Sequence, residues 1–73
     1  MKVMKYLVVI EQSDNGFGAY IPDLPGCAVV GDTIEETRRL IESAAIMHLN
    51  AMRDDGDPIP SPTTIVDYLE VYP

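Results

Sequence analysis

Phe17 to Glu36 reads FGAYIPDLPGCAVVGDTIEE, and nearly every position in it has an identifiable backbone task. Pro22 and Pro25 each remove an amide donor, and Gly26 follows proline where a type II turn needs positive φ. Leu24-Pro25-Gly26-Cys27 therefore reads as a chain reversal that makes neighbours of the stretches on either side. Phe17, Ala19 and Ile21 share one face of the first stretch, with Gly18 and Tyr20 on the other. Ala28 to Val30 is just long enough for a return strand. Gly31-Asp32-Thr33 stops that strand, and Thr33 with Glu36 three residues on is a capping box that opens a helix. The order is strand, turn, strand, helix.

Upstream, Lys2 to Glu11 predicts a strand with Met4, Tyr6, Val8 and Ile10 on one face and Val3, Lys5, Leu7, Val9 and Glu11 on the other. The polar run Gln12 to Gly16 joins it to the return strand as a hairpin, with Asn15-Gly16 as the place for positive φ. Downstream, one helix runs from Thr33 to about Asp54, roughly 33 Å at 1.5 Å per residue. At about 100° per residue, Ile34, Leu40, Ile41, Ala44, Ala45, Met47, His48, Ala51 and Met52 form a continuous wedge. Glu35, Glu36, Arg39, Glu42, Ser43, Asn50 and Arg53 take the opposite side, and Ile46 sits among them as the one large apolar residue that the wedge does not use. Gly56 is placed to end the helix in a left-handed conformation. Pro58, Pro60 and Pro62 enforce a crossing segment, and Thr64 to Tyr72, rich in β-branched and aromatic residues, predicts a fourth strand. The expected fold is one α+β domain over residues 1–73: an antiparallel sheet of three to four strands with one helix on one face, in the order β-β-β-α-β.

The 73 residues bury only about 60% of the surface that the unfolded chain exposes, and the lone Cys27 permits no intrachain disulfide. Added stability is expected from self-association as a homodimer or homotetramer, because one helix leaves a sheet face or an edge strand uncovered. There is no signal-peptide pattern and no apolar run long enough to span a membrane, so cytoplasmic localisation is the default expectation, and a single cysteine fits a reducing compartment. Twelve carboxylates against five Lys and Arg give a net charge of −7. Such a field repels phosphate backbones, which argues against direct nucleic-acid binding, and it speeds encounter with a basic partner.

Catalytic chemistry needs a constellation, and the chain supplies little. Cys27 and His48 would have to be adjacent, with an exposed, acidified thiol; the place of His48 in the wedge favours packing instead. Asp54-Asp55-Gly56-Asp57 lacks the alternating ligands of a calcium loop and has no soft ligand nearby for zinc. No cofactor is expected. Two regions are candidates for partner contact. Asp23, Leu24, Pro25 and Gly26 form a rigid turn that presents a surface at low ordering cost, and Ile46, flanked by Glu42 and Asn50 at one-turn spacing, makes an apolar centre with a polar rim.

Asp23-Leu24-Pro25-Gly26-Cys27, then Gly31-Asp32-Thr33 with Glu35-Glu36, His48-Leu49 in the helix and Gly56-Asp57-Pro58-Ile59-Pro60 beyond it resemble the HicB family of antitoxins over about Tyr6 to Pro62. The resemblance implies an oligomeric protein that binds and blocks a small basic RNA-cleaving toxin of the HicA type. Many members carry a C-terminal DNA-binding domain of helix-turn-helix or ribbon-helix-helix type; these 73 residues are too short to hold one, which leaves autoregulation of an operon open. Ile46 also departs from the charged residue usual there. Two other functions stand beside the antitoxin: an oligomeric binding module without a toxin, and a weak acid-assisted nuclease using Asp23 and Asp32.

Overall fold

The computed structural model describes residues 3–73. Three strands, β1 (Val9–Ser13), β2 (Gly16–Tyr20) and β3 (Ala28–Gly31), precede a single helix, α1 (Ile34–Asp54). The strands form one antiparallel sheet in the order β1-β2-β3, and the helix lies against β2 and β3, as the expected α+β architecture requires. The hairpin register pairs Val9 with Tyr20 and Ser13 with Gly16. Gly16, with φ of 148°, takes the positive φ expected at the hairpin turn. In the second pair, Tyr20 faces Ala28 and Phe17 faces Gly31.

The turn between β2 and β3 closes as its prolines and glycine predict. Gly26 has φ of 85°, and the Cys27 amide donates to the Leu24 carbonyl at 3.0 Å. The Leu24 amide donates to Ile21 O at 3.0 Å and the Ile21 amide to Cys27 O at 3.2 Å. With its backbone satisfied internally, the loop turns its apolar side chains inward: Ile21, Leu24 and Cys27 join Ala19 and Ile41 as the buried core. Leu24, at 0% exposure, is its centre.

Thr33 caps α1, its hydroxyl accepting from the Glu36 amide at 3.1 Å, and Glu35 and Glu36 sit favourably at the positive end of the helix dipole. At the other end the Asp57 amide bonds back to Met52 O at 2.8 Å around Gly56, whose φ is 74°; this is the expected glycine-terminated end.

Three expectations need correction. The helix presents a different face: Thr37 and Ile41 are buried and Ala44, Ala45 and Leu49 pack on the core, whereas Met47 is 72% exposed. The wedge is turned by about 40° from the one that apolar counting selects, at 100° per residue. The reason lies in β3. A Cβ on Gly31 would stand 2.5 Å from Thr37 Oγ1, so the bare glycine lets the first turn of α1 approach the sheet. Thr37 suits the contact because its hydroxyl donates to Thr33 O at 2.7 Å, which leaves no polar group wanting. Second, β1 starts at Val9 rather than Lys2; Lys2 is outside the described residues, and residues 3–8 run past the point where β2 ends and so have no partner strand. Third, 64–72 forms no strand.

Candidate functional site

The seven residues expected at a partner surface fall into two places. Asp23, Leu24, Pro25 and Gly26 share the turn after β2, but Leu24 is sealed in the core and offers no side chain to a partner; Pro25 and Gly26 are exposed. Glu42, Ile46 and Asn50 are exposed on α1. The two groups flank opposite sides of the helix. Gly26, Cys27 and Ala28 border a shallow depression with Ala44, Met47 and His48, while Glu42 and Ile46 border a groove on the other flank.

That groove, about 700 Å³, is the larger feature. Its walls are Tyr6, Val8 and Ile10 on the strand side and Ile41, Ile46 and Leu49 on the helix, and Arg38, Arg39 and Glu42 supply its charge. Ile46 is 53% exposed and borders the groove. It stands on the helix wall, with Tyr6, Val8 and Ile10 on the strand side. Tyr6, Val8 and Leu49 were not among the expected contact residues. The period-two pattern from Met4 to Ile10 points to Tyr6 and Val8, because a face that alternates so cleanly must be covered by something; nothing in the helix pattern points to Leu49.

Asp23 has an internal task. Its Oδ2 accepts the amides of Thr63 and Thr64, both at 3.1 Å, and its Oδ1 accepts their hydroxyls at 3.1 and 2.9 Å. The Thr64 amide, followed by the two hydroxyls and the Thr63 amide, holds this carboxylate below the ordinary range against a smaller desolvation cost. The Tyr6 hydroxyl donates to the Pro60 carbonyl. Together these bonds strap residues 60–64 across the domain and aim residues 65–72 away from it.

The chemistry considered for an enzyme does not assemble. Cys27 and His48 border the same depression, but Cys27 is buried and desolvation pushes its thiol upward in pKa, away from a reactive thiolate. Asp23 and Asp32 stand at opposite ends of the β2–β3 pair, beyond Tyr20 and beside Gly31 respectively, too far apart to share a metal or a scissile phosphate. At the hairpin end, Glu11, Asp32 and Glu36 line an acidic hollow. No helix among the described residues is long and apolar enough to cross a membrane.

Against known proteins, the chain is 32% identical over 66 residues to an uncharacterized 14.9 kDa protein in the rep-hol intergenic region of Haemophilus phage HP1, covering 90% of this chain and 50% of that one. It is 32% identical over 63 residues to Antitoxin HicB 2 of Photorhabdus laumondii, covering 86% and 45%. The chain thus spans about half the length of these two relatives. A chain of a solved HicA3 and HicB3 toxin-antitoxin complex superposes with a TM-score of 0.69 at 33% identity, over 82% of this chain and 70% of that one. Residues 6–72 match the family model described as HicB_like antitoxin of bacterial toxin-antitoxin system, and the chain belongs to that family.

Proposed function

We propose that this protein is an antitoxin that binds a small basic RNA-cleaving toxin of the HicA type and masks it without chemistry of its own. The observation that carries the reading is the likeness to a chain of the HicA3 and HicB3 complex, in which sequence and fold agree over the same domain. Three features support it. The net charge of −7 and the acidic hollow of Glu11, Asp32 and Glu36 suit a cationic partner and oppose RNA or DNA, so the protein meets the nuclease rather than its substrate. Among the described residues, Cys27 is buried and Asp23 and Asp32 are separated, so neither set considered for catalysis is assembled. The exposed residues Pro25 and Gly26 on one flank, and Glu42, Ile46 and Asn50 on the other, provide two contact surfaces for two partners.

The second partner is another copy of the chain. Among the described residues, a core of five buried apolar side chains is small for a free-standing domain, and the groove at Ile46 is apolar surface left for a homodimer or homotetramer to cover. Action in the cytoplasm, where the toxin's RNA substrates are, follows from the same reading.

The test is titration. Purified protein added to a small basic HicA-type toxin should suppress RNA cleavage at stoichiometric ratio, and the complex should weaken steeply between low and moderate salt because steering by opposite charge is screened. Undiminished cleavage at excess protein would reject the antitoxin reading.

A further inference from the structure

We propose that residues 65–72 are an exchange arm that adds a β-strand to the free edge formed by residues 3–8 of a second copy and lays its apolar side chains into that copy's groove beside Ile46. The inference rests on the reading of the chain as a homo-oligomer and specifies how the oligomer is built.

The arm is apolar and uncovered. Ile65, Tyr68 and Leu69 are all more than four-fifths exposed and Tyr72 is 98% exposed, a run of large apolar side chains of the kind that marks an interaction surface. It also projects from the domain: the radius of gyration is 14.2 Å, against about 11 Å for a compact chain of this length. Its root is fixed by the Asp23 clasp on Thr63 and Thr64 and by Tyr6 on Pro60, so the arm is presented rather than frayed.

A receiving edge of six residues, against eight in the arm, is free on the same molecule. Residues 3–8 continue β1 beyond the end of β2, and β1 is itself an edge strand. Val3 is 80% exposed, and Met4 and Val8 are partly so. Such an edge, with its unpaired amides and carbonyls, is what β-augmentation uses. The arm does not pair with its own copy of that edge: residues 64–72 form no strand, and beyond the bonds of Pro60 to Tyr6 and of Thr63 and Thr64 to Asp23 its side chains stay exposed.

Charge agrees. The arm carries Asp67 and Glu70 and no cation. Receiving it are Lys5 on the edge and Arg38 and Arg39 in the groove, with Glu42 the groove's one carboxylate. By the period of two, one arm face holds Ile65, Asp67, Leu69 and Val71 and the other Val66, Tyr68, Glu70 and Tyr72. Either face brings one carboxylate among apolar groups, so the arginines are complementary whichever face turns inward. Exchange between two copies gives each a donated and a received strand, a closed isologous dimer.

The experiment combines mass, mixed-isotope NMR and one variant, all on the full chain. Light scattering at micromolar concentration should give twice the monomer mass. In a dimer of one labelled and one unlabelled copy, filtered NOEs should connect 65–72 of one to 3–8 of the other, and the amides of both should be protected from exchange. The paired substitution Tyr68→Pro with Leu69→Pro removes neighbouring amides that point to opposite edges, so one is lost from the paired edge whatever the register; it should give a folded monomer. A monomeric wild type overturns both the homo-oligomer and the arm. An oligomer that keeps its mass in the proline variant, or shows no intermolecular NOE from the arm, overturns the arm and leaves the oligomer standing. Arm amides that become protected only when the toxin is added assign the arm to the toxin and overturn the proposal. If the variant unfolds, the wild-type NOEs decide.

Discussion

The loop from Ile21 to Cys27 and the segment 65–72 are nearly equal in length and both largely apolar, yet Ile21, Leu24 and Cys27 are at most 4% exposed whereas Ile65, Tyr68 and Leu69 exceed 85%. Hydrophobicity does not separate them; backbone satisfaction does. The loop folds on itself through Pro22, Pro25 and Gly26, so Ile21, Leu24 and Cys27 exchange hydrogen bonds with one another and can enter the core without carrying orphaned amides there. The segment 65–72 has no such turn. The Tyr68 amide finds only the neighbouring Asp67 carboxylate, at 2.8 Å. Burying this segment requires a strand from elsewhere.

The comparison can be broken most easily at Leu24. Leu24→Ala should cost about 2–5 kcal/mol, much of the total stability of a small domain; thermal and urea melts that match wild type would remove the loop from the core. Gly31→Ala should cost about 1–3 kcal/mol by overpacking, because the new methyl meets Thr37 Oγ1 at 2.5 Å and the Thr37 backbone at 3.1–3.2 Å. By contrast Tyr72→Ala should leave unfolding of the isolated chain within about 0.5 kcal/mol, as urea titration at a concentration below that of assembly would report. A comparable loss from both would erase the difference between packed and presented regions.

Ile46→Asp sharpens the contrast from the receiving side. It should weaken self-association by about 1–3 kcal/mol in sedimentation equilibrium, with the fold of each copy intact by circular dichroism. The smallest effect belongs to the clasp. The folded carboxyl of Asp23 titrates below its ordinary value of 3.8, so its stabilisation is present above that value and lost as pH falls through the depressed one. Proton NMR should show the Thr63 and Thr64 amides shifting and exchanging faster in that acid window, while the Leu24 amide stays protected. Simultaneous loss of both would mean that the strap is part of the core's cooperative unit.

What could be read from residues alone was whatever local chemistry decides. Thr33, Glu36 and Gly56 set the ends of α1, and Pro25-Gly26 set the reversal, because each acts through bonds to residues within four positions. The phase of α1 was not legible in the same way. Apolar residues occur around most of its circumference, so periodicity gave a wedge that included Met47 and omitted Thr37 and Leu49; a glycine on β3, six residues before Thr37 in the chain, made the choice. The start of β1 depended on where its partner ended. Among the candidate site residues, Ile46 was visible because it interrupted a polar face, and its groove was not, since Tyr6 and Val8 join it only through the tertiary fold. Asp23 reads from the sequence as a contact outward, whereas its partners, Thr63 and Thr64, are about forty positions further along the chain.

The alternation of Pro58, Pro60 and Pro62 sets a limit on assembly. In extended chain, residues two apart send their amides to the same side, so one edge of this stretch has no donor at any of the three positions. A ladder begun on the arm along that edge therefore cannot zip backward toward the helix. The prolines act as a fence between a sticky strand and the domain that carries it. In the proposed exchange they would hold the number of paired rungs to what the arm itself offers and favour closed pairs of molecules over the open-ended stacking to which exposed apolar strands are otherwise prone.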